Sequence, residues 1–357
     1  MSTTNFDRYN LGFDGTDYAS TRLTDNARED LSDMIYNIDP YNTPCLTGMP
    51  TGRARNTYTE WQTDDLHSVD PANARVDGAD AGVDQSEQST RVGNHCQISD
   101  KRIRISGRAE AVDKAGRRSE MAFQLMKAGR SLKRDMEAVI TANNTSVAGT
   151  DSVAAELGSM IPWMVNGDST RVTPIADGLI ASDTTGGGYA SAVVTAYTFG
   201  TARALTETMI RTGCQRAYER GGEPGVLMMA PAVKSRLSSF LFSSSARVAT
   251  LYKDTAGEKG QATATGAVDV FVSDFGTLKL TPNRYWGHSG TAANETYIAG
   301  LQMNMWACLY LRSFRTNKLA RTGDAENRQL LVDYTVRASN DGANFLIADL
   351  NTSAVTA

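Results

Sequence analysis

Residues 121–139, MAFQLMKAGRSLKRDMEAV, decide how the rest of the chain is read. Met121, Leu125, Ala128, Leu132, Met136 and Val139 step by four, three, four, four and three, which makes one apolar stripe on a helix of period 3.6. Lys127, Arg130, Arg134 and Glu137 fall on the opposite face. The spacing predicts the longest helix of the chain, about 22–28 residues. Its charge sets it apart from what precedes it. Residues 1–100 carry 7 Lys+Arg against 17 Asp+Glu, residues 101–137 carry 11 against 5, and the remainder balances at 18 against 18. Two readings follow: a basic helix that binds nucleic acid, or an acidic segment lying on a basic one, of the same chain or of a neighbour. The net charge of -4 over 357 residues and a pI near 5.5 favour the second.

Upstream of the helix, the chain looks unable to bury a core. Residues 1–40 are polar, with one short helical candidate at 27–38, and an ordered arm of this kind needs a neighbouring subunit to hold it. Residues 56–62 (NTYTEWQ) and 97–106 (QISDKRIRIS) alternate as strands. Between them, residues 68–89 hold almost no large apolar side chain, too long a stretch for an ordinary hairpin loop. The region reads as an extended arm that docks elsewhere.

Downstream, residues 143–200 are rich in Ser, Thr, Gly and Ala, and include Gly186-Gly187-Gly188. Neither GxxxxGK[ST] nor a GxGxxG opening a helix occurs there, so a phosphate-binding loop is not expected. A second helix is predicted over 201–220, capped by Gly221-Gly222, then a buried strand at 226–230 and a third helix opening at Pro231. Strands are predicted at 267–273 and 277–281, joined through Asp274-Phe275-Gly276. Leu330, Val332, Tyr334 and Val336 mark another strand, which Asn340-Asp341-Gly342 is predicted to turn back as a hairpin through 344–350. The fold class is α+β.

Chemistry that needs tight constellations is absent from the pattern. The four cysteines (Cys45, Cys96, Cys214, Cys308) lie far apart without a CxxC pair and read as reduced, buried thiols; His67, His95 and His288 are the only histidines. No GxSxG accompanies them. Adjacent carboxylates such as Asp64-Asp65 point to different sides of an extended chain. The expectation is no enzyme, no metal and no cofactor. No run of about 18 apolar residues spans a membrane and the first residues are no secretory signal, so a soluble chain made inside the cell is expected.

Seven segments, in this order, resemble the major capsid proteins of tailed bacteriophages with the Hong Kong 97-type shell fold: residues 42–44 (NTP), 56–66 (NTYTEWQTDDL), 109–120 (AEAVDKAGRRSE), 132–137 (LKRDME), 274–282 (DFGTLKLTP), 311–319 (LRSFRTNKL) and 322–334 (TGDAENRQLLVDY). The resemblance implies an N-terminal arm at 1–50, an extended β-hairpin loop at 51–108, a peripheral domain with a spine helix at 109–149, an axial domain at 150–305, and C-terminal strands at 306–357 completing the peripheral domain. It implies a mechanical role: hexamers and pentamers of this chain closing an icosahedral head around double-stranded DNA, held by weak, non-specific contact. The other implied partners are a separate scaffolding protein during assembly and a portal protein at one vertex, with decoration proteins left open. The site would be the virion head shell, assembled in the host cytoplasm.

Within that resemblance, the charge asymmetry places Asp64, Asp65, Asp77, Asp80 and Asp84 of one subunit against Arg117, Arg118, Lys127, Arg130, Lys133 and Arg134 of the next, some of these cations facing DNA instead. Trp61 is expected either to anchor the loop on a neighbour or to be buried in its own chain. Family members that weld their shells by isopeptide bonds use a lysine in this loop; residues 51–100 contain none, so cross-linking there is not expected. The stretch before the first matching segment is short and carries no heptads, hence the separate scaffold. Three other readings stay open: an encapsulin-like compartment with enzyme cargo, a soluble enzyme, and a nucleic-acid-binding module with steep salt dependence.

Overall fold

The computed structural model describes residues 38–64, 66, 69–78, 80, 88–112, 116–165, 179–180, 187–190, 192–243, 268–287, 296–321 and 323–351. Helices α1 (Pro44–Gly48), α2 (Gly107–Ala111), α3 (Glu120–Thr141), α4 (Met160–Met164), α5 (Glu207–Glu219) and α6 (Pro231–Ser243) are set among fourteen described strands. In chain order these are β1 (Thr51–Arg53), β2 (Tyr58–Thr63), β3 (Thr90–His95), β4 (Gln97–Ser106), β5 (Leu179–Ile180), β6 (Gly188–Ala190), β7 (Val193–Thr195), β8 (Val226–Met229), β9 (Val270–Ser273), β10 (Gly276–Pro282), β11 (Ile298–Leu301), β12 (Trp306–Lys318), β13 (Ala325–Ala338) and β14 (Phe345–Ile347). The mixture is α+β, as the patterns predict.

The apolar stripe forms α3, 22 residues long. Ser119 caps it by accepting from Ala122 N (3.3 Å), and the Glu110 carboxylate accepts from Ser119 Oγ (2.8 Å) and Glu120 N (3.1 Å), placing negative charge at the positive end of the helix. Met121, Leu132, Met136 and Ile140 are buried, each such side chain contributing about 1.5–3 kcal/mol. Glu137 departs from the expectation of an outward charged face. It is fully buried, because its two oxygens are the acceptors for backbone groups of α1. A buried carboxylate is tolerated where donors converge on it.

A four-stranded sheet, order β1-β12-β13-β4, packs one face on α3. β4 pairs antiparallel with β13 from Gln97↔Tyr334 to Ala325↔Ser106. Residues 56–62 and 97–106 were the two strands visible in the sequence, and they are not partners: β2 pairs with β3, Tyr58↔His95 to Thr63↔Thr90. The sequence TRVGNH was too polar and glycine-broken to read as a strand. β3 runs on into β4 alongside β13, since Thr335 Oγ1 donates to His95 O (2.8 Å) and Asn94 Nδ2 donates to Val336 O (3.0 Å).

The second sheet, β5-β14-β11-β8-β10-β9, holds the largest part of the core. Ile298–Leu301 and Phe345–Ile347 are buried throughout. The Phe345 ring lies so close to Gly300 and Gly213 that a Cβ at either position would overlap it. The hairpin expected after Asn340 does not form. Asn344 N does donate to Asp341 O (3.2 Å), but the chain leaves the first sheet there and enters the second, where β14 pairs antiparallel with β11. Phe345, Leu346 and Ile347 are all apolar, so they belong between layers rather than on a sheet with one wet face. The other connection, from β11 to β12 through residues 302–305, is also short. Asn344 ties the two together: its Oδ1 accepts from Gln302 N (2.8 Å) and Trp306 Nε1 (3.0 Å), and its Nδ2 donates to Asn340 O (3.1 Å).

Helix α5 starts six residues later than the pattern predicts, because Arg203 is drawn into a parallel bridge with Leu350: Arg203 N donates to Asp349 O and Asn351 N to Arg203 O, both at 2.7 Å. Its C-terminus ends as expected, with Gly221 at φ +73° and Gly222 N donating to Ala217 O. All four cysteines are free and buried. The helical candidate at 27–38 lies outside the described residues except for Ile38, and so do His67 and His288.

Candidate assembly interface

The root of the N-terminal segment is bound to α3 by its own chain. Cys45 N and Leu46 N donate to the Glu137 carboxylate at 2.8 and 2.7 Å, and Asn283 Nδ2 donates to it at 2.6 Å. Burial pushes this carboxyl above its ordinary value, with the three donors pulling the other way. Burial likewise pushes the Cys45 thiol well up, with the Glu137 charge adding to the effect, so it is an inert packing group.

The cations of α3 fall into two groups. Towards its C-terminal half, Arg130 lies over the Tyr41 ring (4.7 Å), Lys133 over Phe314 (6.0 Å), and Arg134 over Tyr285 (5.3 Å) with Asp39 Oδ2 at 3.7 Å. Cation–π contacts at such sites are worth about 0.5–1 kcal/mol, and an exposed pair like Arg134–Asp39 about 0–1. These side chains are therefore already engaged by residues 39–41, 285 and 314 of the same chain. Lys127 is exposed. At the N-terminal end, Arg117 pairs with Glu120 and lies over Phe123 (5.1 Å), while Arg118 is exposed.

On the acidic side, Asp64, Asp77 and Asp80 are exposed, and Asp65 and Asp84 lie outside the described residues. None of the three described acids reaches an α3 cation within this chain. Trp61 is half-buried and packs on Trp163 (ring centroids 5.4 Å), which stacks on Tyr189 (5.0 Å). The β2–β3 stem is thus anchored on its own core. Its buried pin is Asn94, whose amide pairs with Gly158 in both directions at 2.8 Å. Sequence reasoning missed Asn94 and Glu137, since a polar residue in a strand or on a charged helix face carries no mark of burial. It also passed over Arg102 and Arg104, although their alternation with Ile103 and Ile105 was visible.

No group of three or more potential metal ligands occurs among the described residues, and no helix among them is long and apolar enough to cross a membrane. His95, the one described histidine, is packed on the Tyr58 ring (4.7 Å), and burial lowers its pKa.

The sequence matches the family described as SU10 major capsid protein over residues 3–351. It is 33% identical over 117 residues to the major capsid protein of Escherichia phage Phieco32; the match spans 33% of this chain and 32% of that relative, about a third of each. The fold is similar to the capsid of Cyanophage A-1(L), TM-score 0.61 at 12% identity over 93% of this chain and 99% of that one. It is also similar to a solved chain of Mycobacterium phage Bobi, 0.56 at 9% identity over 93% and 98%, and to the SrpI encapsulin of Synechococcus elongatus PCC 7942, 0.52 at 9% identity over 96% and 98%. The fold is the Hong Kong 97-type shell fold. With the match covering nearly the whole sequence, the chain belongs to the SU10 major capsid protein family.

Proposed function

We propose that this chain is the structural subunit of a tailed-phage head, in which hexamers and pentamers close an icosahedral shell around double-stranded DNA. The observation that carries the reading is the pairing of family membership with an acidic loop whose described residues, Leu66, Val69 and Val76 among them, lie exposed. Residues 1–50 act as the arm, 51–108 as the extended loop, 109–149 with 306–357 as the peripheral domain, and 150–305 as the axial domain. In the assembled wall, Asp64, Asp65, Asp77, Asp80 and Asp84 face Arg117, Arg118, Lys127, Arg130, Lys133 and Arg134 of a neighbour, each contact modest and made effective by repetition. A scaffolding protein guides assembly and a portal occupies one vertex; cations left unpaired touch DNA weakly, which suits packaging and release.

The test is particle mass. Protein co-expressed with its neighbouring genes is measured by sedimentation and negative-stain microscopy, and closed shells or six-fold rings in the megadalton range are expected. A monodisperse monomer or dimer under those conditions overturns the reading. The likeness to the SrpI encapsulin favours a second reading, a protein-filled compartment. Packaged DNA in the purified particle supports the first, and enzyme cargo the second.

A further inference from the structure

A cleft of about 810 Å³ opens where the root of the N-terminal segment meets α3. Its lining comes from residues 38–43, Thr47 of α1, Arg130 and Lys133 of α3, and Arg284 just past β10. Arg130, Lys133 and Arg284 are all exposed. The one carboxylate in the lining, Asp39, pairs with Arg134 (3.7 Å), which lies outside the cleft. Among the described residues, none of the three lining cations has a carboxylate partner or donates a hydrogen bond. What two of them touch is aromatic: Arg130 lies over the Tyr41 ring at 4.7 Å and Lys133 over the Phe314 ring at 6.0 Å. A ring beneath a cation steadies it without using its hydrogen-bond donors, so the guanidinium edge of Arg130 stays free to fork onto an oxyanion. Asn42 and Thr47 are exposed at the same cleft and add neutral donors.

This lining suits a chain of phosphates better than a small anion or a protein strand. A single small ion gains little from exposed, hydrated cations, and the cleft buries none of the three. A polyanion gains at every contact, because each phosphate neutralised releases condensed counterions. No described strand borders the cleft, so it offers no main-chain ladder to an extended protein segment.

We propose that this cleft is a contact point for the phosphodiester backbone of double-stranded DNA, with Arg130, Lys133 and Arg284 meeting phosphates and Asn42 and Thr47 donating beside them. The inference rests on the shell reading and deepens it by dividing the α3 cations. Arg130 and Lys133 go to the packaged DNA, and Arg117, Arg118 and Lys127 remain for the neighbour's acidic loop. Contacts to phosphate alone carry no base sequence, as a container for a whole genome requires.

Salt dependence is the first test. Full-length subunits, kept unassembled, are titrated against a fluorescent DNA duplex of random sequence, and the slope of log K against log salt is read by anisotropy. Arg130→Gln, Lys133→Gln and Arg284→Gln should each flatten that slope by about 0.9, and the triple variant by roughly 2.7. An unchanged slope in the triple variant, or no binding by the parent chain at low salt, overturns the cleft and leaves the shell reading standing. Equal flattening per residue from Arg102→Gln with Arg104→Gln, exposed arginines outside the cleft, means that any surface cation serves, and overturns it too.

Particles of the unmutated chain give a second readout, free of any folding defect. Acetylation of Lys133, followed by mass spectrometry, should be several-fold slower in DNA-filled heads than in empty ones. Lys127, outside the cleft, should react equally in both. Protection of Lys133 in both states means that a protein segment fills the cleft, and reactivity in both means that nothing does; either result overturns the proposal. Particles that hold no DNA sink the shell reading instead, and the duplex titration then decides the cleft alone.

Discussion

The two main sheets solve opposite problems. In the six-stranded sheet, β11 and β14 are buried residue by residue, and the Phe345 ring fills the space left by Gly213 and Gly300. In the four-stranded sheet, β12 goes from buried at Trp306–Leu309 to half-exposed beyond Tyr310, and β4 alternates between a face on α3 and a face of Ile98, Asp100, Arg102 and Arg104 in water. The middle of the first sheet is closed by its own chain, while its edge strand β9 leaves Val270 and Val272 exposed. The second is buried on both faces only along its centre, at Trp306–Leu309 of β12 and Leu330–Val336 of β13, and both of its edges border grooves, at Arg102–Ser106 and along Tyr310–Arg315. Under the proposed shell reading, self-stability and association are carried by different parts of one fold.

That division can be broken in graded steps. The largest effect should come from excising residues 66–88 and bridging the gap with a short glycine-rich turn. Shell formation should be lost while the midpoint of thermal unfolding moves by no more than about 3 °C, because the described residues of the excised loop are all exposed. A collapse of Tm would mean the loop is part of the fold. Next comes Gly300→Ala, whose Cβ would overlap the Phe345 ring in the middle of the six-stranded sheet. A loss of about 1–3 kcal/mol or more in denaturant unfolding is expected, with poor particle yield following from instability.

The smallest effect tests the seam between arm and helix. Glu137→Gln keeps the volume but faces an N–H donor with another, costing about 1–3 kcal/mol. The pH dependence gives a second readout. Burial raises the Glu137 carboxyl above 4.5 in the folded chain, so its proton is held more tightly folded than unfolded. The stability this provides is complete below the unfolded value and is lost as pH rises through the folded one. The difference between parent and variant unfolding curves should therefore change as the pH rises from the ordinary carboxyl range, with the parent relatively more stable at the acid end. A flat difference would mean that Glu137 titrates as an ordinary carboxyl.

What the sequence disclosed follows from the range of the interactions involved. Helix α3, the Gly221 cap and β4 rest on local periodicity, and each was legible from the residues themselves. The partner of β2 was not, because TRVGNH owes its strand state to the Asn94 amide gripping Gly158, 64 residues away. Glu137 looked like one more charge on a wet face; only the arrival of Cys45 and Leu46, 92 and 91 residues earlier, makes it a buried acceptor. Asn340-Asp341-Gly342 reads as a hairpin turn, yet the three apolar residues at 345–347 outweigh it by belonging to another layer. For the candidate interface, the charge asymmetry marked which segments carry unlike charge. It could not show which cations the chain engages for itself, as with Arg134 and Asp39, and which it leaves free, as with Arg102 and Arg104.

The double crossing between the sheets has a mechanical consequence. β11 leads into β12, and β13 into β14, through two short spans lying side by side, and the Asn344 side chain bonds to both. A single covalent strap would let one sheet swivel against the other. Two straps riveted by one amide resist torsion, so a push delivered to either sheet is transmitted to the other without a hinge between them. In a pressurised wall, load would then travel along the plane of the shell through each subunit, and the give would lie in the loops and edges where one subunit meets the next.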